Sequence, residues 1–68
     1  MVLFVADIER NETEIIRVEK KEFKGKEYID IRIFYLDSDN EYKPTKKGVT
    51  LKPEKIDEMI GVLQSLKE

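Results

Sequence analysis

Residues 27–36 alternate with a period of two. Ile29, Ile31, Ile33 and Tyr35 fall on one face, and Tyr28, Asp30, Arg32, Phe34 and Leu36 on the other. That period is strand geometry, since a helix would scatter those isoleucines around its axis. Turn chemistry closes the run at both ends, with Lys24-Gly25-Lys26 before it and Asp37-Ser38-Asp39-Asn40 after it. Gly25 is free to take positive φ. The isoleucine face reads as core. The other face mixes rings with an Arg and an Asp, as a binding surface on a sheet does.

The remaining chain extends the pattern. Val2–Val5 is β-branched and aromatic and predicts a short strand, with Glu9-Arg10-Asn11-Glu12 as the turn after it. Residues 14–23 predict a longer strand, with Ile16, Val18 and Lys20 on one face and Ile15, Arg17 and Glu19 on the other. Glu41–Thr45 predicts a short strand that Pro44 confines to an edge or a bulge. Lys46-Lys47-Gly48 then turns the chain into a last strand, Val49–Leu51. Pro53 belongs at the first position of a helix. From there Ile56, Ile60 and Leu63 share one flank and Met59, Val62 and Leu66 the adjacent one, an apolar arc of roughly 160°. One sheet needs less than that. The excess assigns Met59, Val62 and Leu66 to a dimer interface, most simply with the same helix of another protomer.

Size and composition narrow the function. The 68 residues form a single domain, spanning 1–68, with no cysteine and no histidine. A domain this small buries only about 60% of its unfolded surface. Disulfides and thiolate or imidazole metal sites are excluded, so oligomerisation is the remaining source of stability, and a homodimer is expected. The usual bases and nucleophiles are missing, and nothing is placed to activate Ser38 or Ser65, so no enzyme, cofactor or small-molecule substrate is expected. Asp37, Asp39 and Glu41 faintly suggest a calcium loop but lack its glycine and its bidentate Glu, leaving a plain turn. No apolar run reaches membrane-spanning length, and Met1–Ala6 lacks the basic flank of a signal peptide; an intracellular protein is expected.

The net charge is −2, but it is unevenly placed. Residues 17–47 carry nine Lys/Arg against seven Asp/Glu. There the cations (Arg17, Lys20, Lys21, Lys24, Lys26, Arg32, Lys43, Lys46 and Lys47) are interleaved with Phe23, Tyr28, Phe34, Tyr35 and Tyr42. Cations attract phosphates and rings stack on any base, which suits a single-stranded nucleic acid. If four cations touch phosphates, affinity falls on the order of 50-fold between 50 and 200 mM salt. Two stacked rings add about 1–3 kcal/mol each.

In order along the chain, Phe23-Lys24-Gly25-Lys26, Ile29-Asp30-Ile31-Arg32, Phe34-Tyr35, Lys43-Pro44, Lys46-Lys47-Gly48 and Pro53-Glu54 resemble the positive-cofactor-four transcriptional coactivator family. The resemblance covers residues 14–66. It implies an α+β fold, a strongly curved antiparallel sheet of four strands, or five with the N-terminal segment, followed by one C-terminal helix, in a homodimer. Residues 1–13 lie outside it and are a candidate extra edge strand and turn. It also implies binding of single-stranded DNA without sequence preference in transcription, replication or repair, with RNA as the other single-stranded candidate and the transcription machinery as a candidate protein partner. The contacts it implies fall on Phe23, Lys24, Lys26, Arg32, Tyr35, Lys43 and Lys47, with Lys46 beside them. Phe23 and Tyr35 would stack while the cations hold phosphates. Position 35 is Tyr where the well-known eukaryotic members have Trp, the helix is shorter, and their Ser-rich tail is absent. The competing reading is a protein-interaction module that meets an acidic partner or RNA polymerase through the same basic face.

Overall fold

The computed structural model describes residues 1–67. Four strands, β1 (Val2–Glu9), β2 (Glu14–Phe23), β3 (Lys26–Leu36) and β4 (Tyr42–Leu51), form one antiparallel sheet in sequence order. A 3-10 turn at Pro53–Lys55 leads into α1 (Ile56–Ser65). Val2–Glu9 is an edge strand, but it is one of the four and not a fifth, because residues 42–51 form a single strand. It runs longer than Val2–Val5 because Asp7, in register with Arg17, is tied to that arginine.

Each turn has a local cause. Phe23 and Lys26 are cross-strand partners, so Lys24 and Gly25 alone make the β2–β3 connection, with φ of 53° and 79°. Two positive φ values match the right-handed twist of a hairpin. For Lys24 this left-handed backbone costs about 1–2 kcal/mol. The β1–β2 turn is held by Asn11, whose Oδ1 accepts from the Thr13 N–H at 3.0 Å and whose Nδ2 donates to Glu14 at 2.7 Å. Between β3 and β4, the Asp37 carboxylate accepts from the backbone N–H groups of Asp39 and Glu41, at 2.8 and 3.0 Å.

Residues 42–51 depart from expectation. Instead of two short strands separated by a turn at Lys46-Lys47-Gly48, they form one strand with a bulge. Arg32 pairs with Gly48 and Phe34 with Pro44, so Thr45, Lys46 and Lys47 all lie opposite Ile33. The bulge needs no turn because Thr45 replaces the missing ladder bonds. Its hydroxyl donates to the Ile33 carbonyl at 2.7 Å and accepts from the Lys47 N–H at 3.1 Å. Pro44, which has no N–H to donate, sits at this sheet edge as expected. Gly48 does not have positive φ. It is required for space, since a Cβ there would lie 2.8 Å from the Ile31 carbonyl oxygen.

The core is also not where the alternation placed it. Five of the described residues are buried; Ile15, Glu19, Asp30 and Phe34 lie on the mixed face, and only Ile29 lies on the isoleucine face. Among the described residues no helix covers the mixed face. Such burial on an uncovered face requires the sheet to curl around it, and bulges in β1 and β4 supply the bend. Ile15 and Phe34 pair across the strands, and the Arg17 guanidinium lies 4.5 Å from the centroid of the Phe34 ring. Phe34 is therefore packing, not a binding ring. Phe34→Ala is expected to lower unfolding free energy by about 3–5 kcal/mol, read from urea denaturation.

On the other face, α1 stands over an apolar cleft of about 360 Å³ between itself and the sheet, lined by Phe4, Val18, Ile29, Ile31 and Leu51 from the strands and by Ile56, Met59, Ile60 and Leu63. Ile56 and Met59 are half-buried, whereas Ile60, Val62, Leu63 and Leu66 are exposed. The radius of gyration is 13.4 Å, against about 11 Å for a compact chain of this length.

Three carboxyls are held below their ordinary values. Asp7 is lowered from 3.8 chiefly by the Arg17 hydrogen bond, Glu14 from 4.5 by Asn11, and Asp37 from 3.8 by the Glu41 backbone N–H. A lowered folded-state pKa makes the unfolded chain bind more protons in that range. Stability is thus fully present above pH about 4.5 and falls with acid as these groups protonate, while the chain has no histidine to titrate near neutrality. Thermal melts should show a melting temperature that drops below pH 4.5, and Asp7→Asn should blunt that drop.

Candidate nucleic-acid interface

The structure sorts the nine cations of residues 17–47 into held and free. Arg17 grips Asp7 with two hydrogen bonds, Nε–Oδ1 at 2.8 Å and Nη2–Oδ2 at 3.2 Å. Lys20 pairs with Glu27 at 3.3 Å, and Lys21 with Glu19 and Asp30 at 3.4 and 3.7 Å. Lys43 lies 3.4 Å from Glu41 and 3.9 Å from Asp37. A carboxylate this close cancels much of the field that a phosphate would meet. Among the described residues, Lys24, Lys26, Lys46 and Lys47 have no carboxylate within 4.0 Å.

Those four form two clusters. Lys24 and Lys26 flank Gly25 at the β2–β3 tip, and Lys46 and Lys47 project at the β4 bulge. From Lys26 to Arg32, which sits beside that bulge, is six residues of β3, about 20 Å. The two clusters thus mark the ends of a basic track.

Arg32 stands at the bulge end. Its Nε and Nη2 donate to the two oxygens of Asp30 at 3.3 and 3.2 Å, and its Nη1 donates to the Thr45 carbonyl at 2.8 Å. On the isoleucine face, opposite the Arg32 guanidinium, an open cleft of about 320 Å³ is lined by Ile16, Ile31, Ile33 and Val49, with Lys47 at its margin. Apolar surface beside cations is the chemistry of a nucleobase next to its phosphate.

Two of the expected rings are exposed, Phe23 at 53% and Tyr35 at 43%. The Lys24 Nζ lies 5.3 Å from the Phe23 ring centroid. Register sets these rings apart. Phe23, Lys26 and Arg32 share one face, whereas Tyr35 and its cross-strand partner Lys43 lie on the other. One protomer therefore gathers Phe23 and Lys26 at one end of this face and Arg32 at the other, while Lys47 lines the cleft on the isoleucine face. It does not bring Tyr35 and Lys43 onto that face. Of the interface candidates, Met59 is half-buried and lines the cleft under α1, while Val62 and Leu66 are 55% and 75% exposed. Sequence reasoning passed over Asp30, Thr45 and the steric role of Gly48. The spacing of Asp30 and Arg32, two apart on a strand and so on one face, was the available signal for the first.

The chain is a four-stranded antiparallel meander closed by one C-terminal helix, with a basic turn and a basic bulge on a sheet that also exposes rings. The family model Transcriptional Coactivator p15 (PC4) matches residues 10–62, and the chain belongs to that family. It is similar to the crystal structure of a PC4 homolog from Burkholderia pseudomallei, at 26% identity over 100% of both chains with a TM-score of 0.88. In that homolog's orthorhombic crystal form the identity is 31%, over 93% of this chain and 86% of the other, with a TM-score of 0.82. It is also similar to a bacteriophage T5 homolog of PC4 implicated in recombination-dependent DNA replication, at 26% identity over 93% of this chain and 74% of the other, with a TM-score of 0.76.

Proposed function

We propose that this chain binds single-stranded DNA without sequence preference, as a homodimer, in transcription, replication or repair. The observation that carries this reading is the sorting of charge. Of the nine cations in residues 17–47, Lys24, Lys26, Lys46 and Lys47 have no carboxylate within 4.0 Å among the described residues, whereas Arg17, Lys20, Lys21 and Lys43 each face one. Backbone contacts by lysine carry no sequence information, and rings stack on every base. The phage homolog's link to DNA replication supports the same class of substrate.

Surface area supports the dimer. The chain exposes 5657 Å² where a folded monomer of its mass exposes about 4,500 Å². The excess exceeds the roughly 800 Å² that one partner contributes to a standard interface. The exposed apolar residues of α1 and β1 give that interface its chemistry, and a second protomer would set two copies of each basic track side by side. Tyr35 and Lys43, stranded on the far face of one protomer, would then border the neighbour's track.

Phe23→Ala tests the ring directly. Losing one stacked base should weaken single-strand binding by 1–3 kcal/mol, about 5- to 150-fold, with the salt slope unchanged. Arg32→Ala should instead lower the slope by about 0.7. Equal binding by the Phe23→Ala variant and the parent protein would rule out stacking by Phe23, and negligible oligonucleotide affinity of the parent would favour the protein-partner reading.

A further inference from the structure

Asp30 is 4% exposed, a buried carboxylate on the same face as the basic track. A negative group there opposes phosphate binding, so its presence needs a reason. It does not serve as isolated ballast: the carboxylate takes the side-on fork of Arg32, with Nε at 3.3 Å and Nη2 at 3.2 Å. The Thr45 carbonyl takes Nη1 from the bulge side at 2.8 Å. The third constraint is steric. A Cβ on Gly48 would lie 3.0 Å from the Arg32 Cζ, so the guanidinium rests against the bare backbone of the facing strand.

A guanidinium has five N–H donors in a fixed plane, of which these hydrogen bonds use three. One N–H remains on each terminal nitrogen. Such a pair can take two oxygens of one phosphate, the bidentate arrangement that gives arginine its geometric specificity. An unrestrained arginine would lose rotamer freedom on binding, and this one has lost it already.

We propose that Asp30 is a positioning residue for phosphate recognition, fixing Arg32 so that its two remaining donors are presented to the strand. The bulge at Thr45 and the bare Cα of Gly48 complete the mount. This rests on the single-strand reading above. Two effects of Asp30 oppose each other, orientation of Arg32 against a local field that repels phosphate, and orientation wins.

A double-mutant cycle tests it, with Asp30→Asn and Arg32→Ala alone and together, binding a labelled oligothymidine at fixed salt. Asn keeps the volume and removes the charge. The expected result is a five- to tenfold loss for Asp30→Asn alone and no loss when it is added to Arg32→Ala. An equal loss in both backgrounds would overturn positioning and leave only a structural role for Asp30, with the single-strand reading intact. Failure of the parent protein to bind the oligothymidine would overturn both. Nitrogen NMR of the unmodified protein gives a reading that no variant's folding can spoil. Arg32 should show separate, slowly rotating terminal nitrogens in the absence of DNA, and an averaged signal like that of an exposed arginine would overturn the proposal.

Discussion

Replacing Lys24, Lys26, Lys46 and Lys47 together with glutamine should flatten the salt dependence of single-strand binding by about 2.8, or 0.7 for each phosphate no longer neutralised. Referred to 1 M salt, that slope corresponds on the order of 600-fold in affinity at 0.1 M. Glutamine keeps much of the side-chain length and removes the charge. The four lysines make no ion pair within the described fold, so the variant should melt at the temperature of the parent. The contrast is the triple change of Lys20, Lys21 and Lys43 to glutamine. Those cations face their own carboxylates, and the slope should fall by well under half as much. Titrations at several salt concentrations separate the two variants, and equal slopes would mean that the local pairing does not decide which cations reach DNA.

Changing both Val62 and Leu66 to Glu should have the second large effect. Val62 on α1 and Leu66 just after it are exposed and take little part in the protomer's own packing, unlike Met59, which lines the cleft between helix and sheet. In a two-fold interface the pair of substitutions brings four carboxylates together, and each buried charge without a partner costs several kcal/mol. Analytical ultracentrifugation at micromolar concentration should show a monomer. Affinity for a long single strand should fall on the order of 100-fold as bivalent engagement disappears, while a strand too short to span two protomers should bind almost unchanged. A variant that remains dimeric would move the interface away from this face of the helix.

How much of this was legible in the sequence depended on whether the signal was local. Period two in residues 27–36, the Lys24-Gly25 turn and Pro53 at the helix start all act over a few residues, and each appears in the structure where the sequence puts it. The bulge was not legible, because Lys46-Lys47-Gly48 has turn composition and only the Thr45 hydroxyl reaching across to Ile33 keeps the strand continuous. Phe34 was misplaced for a similar reason. Alternation tells which residues share a face but not which face the sheet curls around, and here the curl buries the mixed side. The candidate site was readable as a set of residues. Its division into free and neutralised cations was not, because cross-strand pairs such as Arg17 with Asp7, and Lys20 with Glu27, depend on register rather than on neighbours in the chain.

The central claim is tested most directly by fluorescence anisotropy of the unmodified protein with a labelled mixed-sequence oligonucleotide of about twenty nucleotides, the scale of two single-strand sites, presented single-stranded and as duplex at two salt concentrations. Tight, salt-sensitive binding to the single strand and weak binding to the duplex are the expected results. Duplex binding equal to that of the single strand, or no binding to either at low salt, would contradict the claim.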